Sequence, residues 1–347
     1  MLHEALQEQC RKARIPVDFT RAYWTPPLTP RLAYETERDQ IEKVLGLKSL
    51  VSLTDHDTIE APLLLRDTAE TAQMPISLEW SVPFQGTIFH LGVHNLPSAQ
   101  AQTIMDDMAA YTQSPNEARL LGLLALLDSF PDVLVVFNHP LWTQSCIGVH
   151  RDEHVLQRFL SSALQFLHAF EINAARSHKE NRRVEELAAR WNRPLVAGGD
   201  RHGCTASGAV NLTEAESFCE FVSEIRKDQH SHVLLMPQYT EPMSVRTTRT
   251  LLDVIRHYPH FPSGSRRWDD RVFHPGDDGS ADRPISSLWK KPPAFVERVF
   301  SCLRLVESAV VQHAFRCLFP DSEGTDRHKD HSSILVATET VSTEAFL

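Results

Sequence analysis

"LVSLTDHDTIE", residues 50–60, sets Asp55, His56 and Asp57 directly behind the apolar run Leu50, Val51 and Leu53. A short apolar run that ends in turn-forming polar residues reads as a buried strand and its exit. Taken alone, the stretch is a polar turn with a histidine in it. Further runs of the same kind follow: "PISLEW" (75–80), "TIFHLGVHNL" (87–96), "VLVVFN" (133–138), "LHAFEIN" (167–173), "PLVAGG" (194–199) and "HVLLM" (232–236). Between most of them lie helical patterns, at 61–72, 98–112, 115–128, 151–165, 178–192 and 213–227. Buried β-runs alternating with helices predict an α/β fold with parallel strands. Six or seven such units in roughly 240 residues suit a barrel better than a small open sheet.

The residues at the ends of these runs share one chemistry. "LVSL" is followed by His56 and its flanking aspartates. Glu79 lies in "PISLEW", His90 in "TIFHLG", His139 after "VLVVFN", Glu171 and Asn173 in "AFEIN", and Asp200, Arg201 and His202 after "PLVAGG". In a parallel barrel such ends meet on the catalytic face. Several carboxylates gathered there would repel one another and raise their pKa values. A divalent cation removes that cost and takes neutral imidazole and ionised carboxylate as ligands. Glu79 sits inside an apolar run, where an unpaired carboxylate is expensive, so a ligand role explains it best.

The bulk properties narrow the function classes. The chain has 347 residues, 42% hydrophobic and 23% charged, with 35 basic against 45 acidic side chains and a net charge of -10. That balance argues against nucleic-acid or membrane-surface binding as the main role. The longest apolar stretch, "LLGLLALL" (120–127), is too short to span a bilayer. Six scattered cysteines without a CxxC pair read as reduced thiols, and the N-terminus has no apolar signal-peptide core, so the expected location is cytoplasmic. After residue 240 the α/β rhythm stops: 241–292 shows no clear period, 293–319 reads as one amphipathic helix, and 320–347 as a mobile tail. The expected division is therefore a barrel over 1–240, a helical extension over 241–319 and the tail. "DRHKDH" (326–331) falls in that tail and reads as a solvated segment; His150, His154 and His168 read as structural.

The ordered pieces "LTDHDT", "ISLEW", "FHLG", "NHP", "FEIN" and "GGDRHG" resemble the PHP (polymerase and histidinol phosphatase) superfamily, closely over roughly residues 40–205. The resemblance implies a distorted (β/α)7 barrel and a metal-dependent phosphoesterase that uses metal-activated water on a small phosphorylated substrate. It implies two or three divalent ions, with Mn, Zn or Fe as the expected metals. Glu79 would bridge two ions, His90 and His139 would complete one site, Asp200 would bind the second, and His56 and His202 would hold the third. His56 or His202 would protonate the leaving oxygen where no third ion sits, and Asp200 would act beside them in catalysis. Asp55 is assigned to orienting a histidine, and Glu171, Asn173 and Arg201 to substrate or supporting contacts. The chain departs from the pattern in one place: no His-x-His strand precedes "LTDHDT", and the only upstream histidine is His3. The site shared by Glu79 and Asp200 then lacks its usual two imidazoles. The expectation is that the first barrel strand is missing because the chain starts downstream of it. The alternatives are a degenerate barrel with a binding or regulatory role, and an amidohydrolase-like enzyme acting on C–N bonds.

Overall fold

The computed structural model describes residues 7–8, 10–12, 14–15, 22–142, 149–241, 243–256, 258, 267–274, 282–289, 292, 294–305 and 334–336. The strands, in chain order, are β1 (Tyr23–Trp24), β2 (Leu78–Phe84), β3 (Thr87–His94), β4 (Leu134–Asn138), β5 (Ala169–Asn173), β6 (Leu195–Gly198), β7 (Ala209–Leu212), β8 (His232–Leu235), β9 (Val272–His274), β10 (Arg283–Pro284) and β11 (Ile334–Val336). The chain divides into two compact units, one of residues 30–200, 206–240 and 323–347, the other of 1–29, 201–205 and 241–322. Residues 1–29 thus group with 241–322, whereas the sequence pattern placed them with the sheet.

The larger unit is mixed α/β. Its main sheet has the order β2-β3-β4-β5-β6, and a second sheet runs β11-β8-β7. The expected barrel is corrected here: among the described residues no sheet closes on itself. Nor are the strands all parallel. β3 runs antiparallel to both β2 and β4, while β4, β5 and β6 are parallel. The cause is local: only Gln85 and Gly86 separate β2 from β3, with φ of 48° and 84°, a two-residue hairpin loop of the primed type. A parallel crossover needs about a dozen residues, so this loop forces the reversal. "LVSL" forms no strand either; three residues beyond it His56 makes an isolated parallel bridge with Glu79.

The expected helices are present at Ala101–Gln113, Glu117–Ser129, Val149–Ala163 and His178–Trp191. Those at 61–72 and 213–227 shorten to Glu60–Leu65 and to Phe218–Ser223 with a π-helical turn over Glu224–Asp228. Side-chain caps fix the starts: Asn116, Ser177 and Ser217 accept from the backbone N–H three residues on. Leu120, Leu123, Leu124 and Leu127 give Glu117–Ser129 its buried face, and they join Trp80, Tyr111, Phe137, Phe159 and Phe170 in one core.

The smaller unit has its own core of Leu252, Ile255, Trp268, Val272, Ile285, Trp289 and Val296, with Trp24 against it. Its sheet is β1-β9-β10. One reading is corrected: 241–292, where the sequence shows no clear period, contains the helix Met243–Ile255. The described part of the expected 293–319 helix is Ala294–Leu305. Segment 326–331 and most of the expected tail lie outside the described residues, but Ile334–Val336 pairs in parallel with β8, and Ile334 is buried. Among the described residues no helix is long and apolar enough to cross a membrane.

Candidate metal centre

The site forms where the N-terminal part of β2, the middle of β3 and the C-terminal end of β4 lie side by side. Register sets Ser81 opposite His90 and His90 opposite Asn138, so Glu79, two residues back on β2, faces Gly92. A Cβ at Gly92 would stand 2.8 Å from Asn138 Oδ1 and 2.9 Å from His94 Nε2. The glycine therefore leaves the room in which Asn138 Nδ2 donates to Glu79 Oε1 at 3.0 Å.

Three nitrogens crowd that one oxygen. Besides Asn138, His139 Nε2 lies 3.1 Å and His90 Nδ1 3.5 Å from Glu79 Oε1, and the two imidazole nitrogens are 3.3 Å apart. His56 Nε2 approaches the other oxygen, Oε2, at 3.5 Å. Glu79, His90 and His139 are each at most 6% exposed, while the His56 side chain is 42% exposed. Two wider triads also converge, His56–Glu79–His90 and Glu79–His139–Asp200, each with ligand atoms within 4.8 Å of one another.

This donor set fits a first-row divalent ion. With metal–nitrogen distances of about 2.0–2.1 Å, two ligand atoms of a tetrahedral shell stand about 3.3 Å apart. The Glu79–His90–His139 triangle has edges of 3.1, 3.5 and 3.3 Å. The protonation states lean the same way. Burial would raise the Glu79 carboxyl, but the hydrogen bond from His139 and the charges of His56, His139 and His90 outweigh it and hold the group down at about 2. Burial lowers His90 to about 4 against the pull of Glu79, which leaves its lone pair available at neutral pH. Burial also acts to lower His139, yet its bond to Glu79 and the charges of Glu171, Asp200 and Glu79 raise it. An ion bound here would compete with protons for that imidazole.

The supporting residues come from β5 and the turn after it. Glu171 Oε2 accepts from His139 N at 2.8 Å and from Asn173 Nδ2 at 2.9 Å. Its Oε1 occupies the place of a Gly198 side chain, 1.5 Å from where a Cβ would be. Burial pushes Glu171 up to about 7, with the His139 charge opposing. Asp55 is exposed, and its carbonyl accepts from Glu79 N at 3.0 Å. Its neighbour Asp57 accepts from Ser81 N at 2.8 Å and so fixes His56 beside β2. Asp57, His139 and Asp200 have positive φ (53°, 27° and 41°), a conformation costing roughly 1–3 kcal/mol each that persists only where surroundings enforce it.

Asp200 follows β6, and Arg176 Nη2 donates to its Oδ2 at 2.7 Å. Trp142 lies edge-on to His139 at 5.2 Å between centroids and 5.8 Å from His90, with the Arg176 guanidinium 4.6 Å over its ring. Sequence reasoning assigned no role to Asn138, Trp142 or Arg176. A tryptophan three residues beyond a strand-end histidine was the one local signal for any of them. His202 is exposed and, with Arg201, belongs to the smaller unit; Arg201 Nη1 donates to Thr205 O at 3.2 Å. Neither is in the two converging triads. His94 is held apart from the cluster's ligand sets, its Nδ1 2.9 Å from Ser52 Oγ.

No protein-family profile matches the chain, and no curated protein is similar to it in sequence. Among solved structures it is similar to an amidohydrolase from Chromobacterium violaceum, with 14% identity and a TM-score of 0.38, over 57% of this chain and 92% of that one. It is also similar to a candidate metal-dependent phosphoesterase from Bifidobacterium adolescentis, with 15% identity and a TM-score of 0.34, over 58% of this chain and 91% of that one. Likenesses this distant assign no residue and no chemistry to the chain.

Proposed function

We propose that this protein is a metal-dependent hydrolase of phosphate esters. The observation that carries the reading is the buried triangle of Glu79 Oε1, His90 Nδ1 and His139 Nε2. A divalent ion supplies two things to such a reaction: water made nucleophilic at neutral pH, and a sink for charge on the phosphoryl oxygens. The phosphate-ester part rests on the ordered sequence motifs.

The chain's own residues have distinct tasks. Glu79 stays ionised and is oriented by Asn138. Glu171 and Asn173 fix the turn that carries His139. Trp142 packs against both buried imidazoles and keeps water from that side. His56, the exposed member, faces the approach of substrate. It is also the proposed proton donor to the leaving oxygen.

The test uses the full chain, purified without chelator and assayed on an aryl phosphate and a panel of alkyl phosphates with Mn(II), Zn(II) or Fe(II). Chelator-sensitive release of phosphate, lost in Glu79→Gln, is the expected result. A metal-loaded, folded chain that hydrolyses none of the panel, or activity that survives Glu79→Gln, overturns the reading. His56→Gln should slow the alkyl esters more than the aryl ester, whose leaving group needs no proton.

A further inference from the structure

Asp200 is one of the acids gathered around Glu79, but its charge is already answered. The Arg176 guanidinium reaches Asp200 Oδ2 at 2.7 Å, with side chains only 16% and 6% exposed. Arg176 is placed there by construction. Asn173, at the end of β5, builds a turn in which its Oδ1 accepts from Ala175 N at 2.8 Å and its carbonyl from Arg176 N at 3.2 Å. Trp142 then covers the guanidinium at 4.6 Å. A buried ion pair with this geometry is strongly disfavoured from opening, because either partner alone would be left as an uncompensated buried charge. On the other side of Glu79, the Oε1 edge offers a complete three-atom ligand set, whereas the ion pair described at Oε2 is with His56 at 3.5 Å.

We propose that the centre takes one divalent ion, held by Glu79, His90 and His139, and that Arg176 supplies at Asp200 the positive charge a second ion would otherwise provide. The assignment rests on the hydrolase reading above and refines it. The charges agree. One divalent ion and Arg176 face the carboxylates of Glu79 and Asp200, leaving a modest positive excess suited to a phosphate dianion. A second ion would have to displace the guanidinium into the same low-exposure space, against like-charge repulsion.

The experiment is metal stoichiometry, not turnover. The full chain is stripped with chelator, dialysed against Mn(II), and read by elemental analysis and electron paramagnetic resonance. The wild type should hold one equivalent with the spectrum of an isolated Mn(II). Arg176→Ala should take up a second equivalent and show exchange coupling, and Arg176→Lys should stay at one. Asp200→Asn should keep the single equivalent, with affinity changed less than threefold, and it answers the question even if Arg176→Ala does not fold. Two equivalents in the wild type, one in a folded Arg176→Ala, or loss of the ion in Asp200→Asn overturns the assignment and leaves the hydrolase reading standing. No bound ion in any chain overturns both.

Discussion

The two ends of β4 each carry a buried histidine beside a carboxylate, and they are built on opposite rules. At the N-terminal end, Val135 N donates to His168 Nδ1 at 2.8 Å, and His168 Nε2 lies 3.0 Å from Asp128 Oδ1. Arg226 donates to that same oxygen at 2.8 Å and to the carbonyls of Phe130, Val133 and Asp128 at 2.7, 2.8 and 2.9 Å. The acceptor role of Nδ1 places the ring proton on Nε2, so both His168 nitrogens and the Asp128 charge are matched. At the C-terminal end, one carboxylate oxygen faces two imidazoles and an amide, and a third imidazole waits at the other oxygen. Matched partners make a structural network; an excess of lone-pair donors around one carboxylate makes a place for a cation. Residue type does not separate the two ends, but partner stoichiometry does.

The largest effect should come from Glu79→Gln. Removing the charge at the metal end is expected to lower hydrolysis by more than about 100-fold, a loss typical of groups that stabilise charge developing in the reaction. The denaturant midpoint should stay close to wild type. An equal collapse of stability and activity would erase the contrast, making Glu79 a structural residue like Asp128. The mirror experiment is Arg226→Met. It strips four hydrogen bonds from the N-terminal end and should cost about 2–4 kcal/mol by urea unfolding, while activity per folded molecule is retained. Smaller still is Asn138→Ala. It frees Glu79 Oε1 from its orienting amide, and metal affinity measured by competition with a chelating dye should weaken about 10- to 100-fold. An unchanged affinity would show that the imidazoles alone position Glu79.

Sequence could reveal the ingredients of this contrast but not its geometry. Strand-end chemistry singled out His56, Glu79, His90, His139 and Asp200, and the first four come within 3.5 Å of a neighbour in the cluster. His168 read as structural because it opens a strand instead of closing one. Strand direction was misread at β3, since a two-residue loop with an unremarkable Gln85 decides it. The apolar run at 50–53 promised a strand that only the His56–Glu79 bridge partly realises. Arg176 was invisible because its acidic partner lies far along the chain: it meets Asp200 across 24 positions. The smaller unit's core was hidden for the same reason, its tryptophans at 24, 268 and 289 being scattered through segments with no period.

The finest test of the contrast is the pH dependence of stability. Burial lowers His168 to about 4, against the hydrogen bond to Asp128, which raises it. Its folded pKa thus lies below the ordinary imidazole value of about 6.5. Between those values the unfolded chain binds the proton and the folded chain does not, so stability falls as pH drops from 6.5 towards 4 and levels off below. One such group contributes at most about 1.4 kcal/mol per pH unit. In His168→Asn the amide oxygen can still accept from Val135 N, but nothing titrates. That variant should lose about 1 kcal/mol at neutral pH and flatten the acid limb by close to one proton. His94, also lowered to about 4 by burial, should supply part of what remains. Saturating metal should steepen the acid limb in the wild type and in His168→Asn equally, because the ion competes with protons only at the Glu79 end. A metal effect that disappears with His168→Asn would mean the two ends are coupled through β4, and the division between matched and unmatched networks would fail.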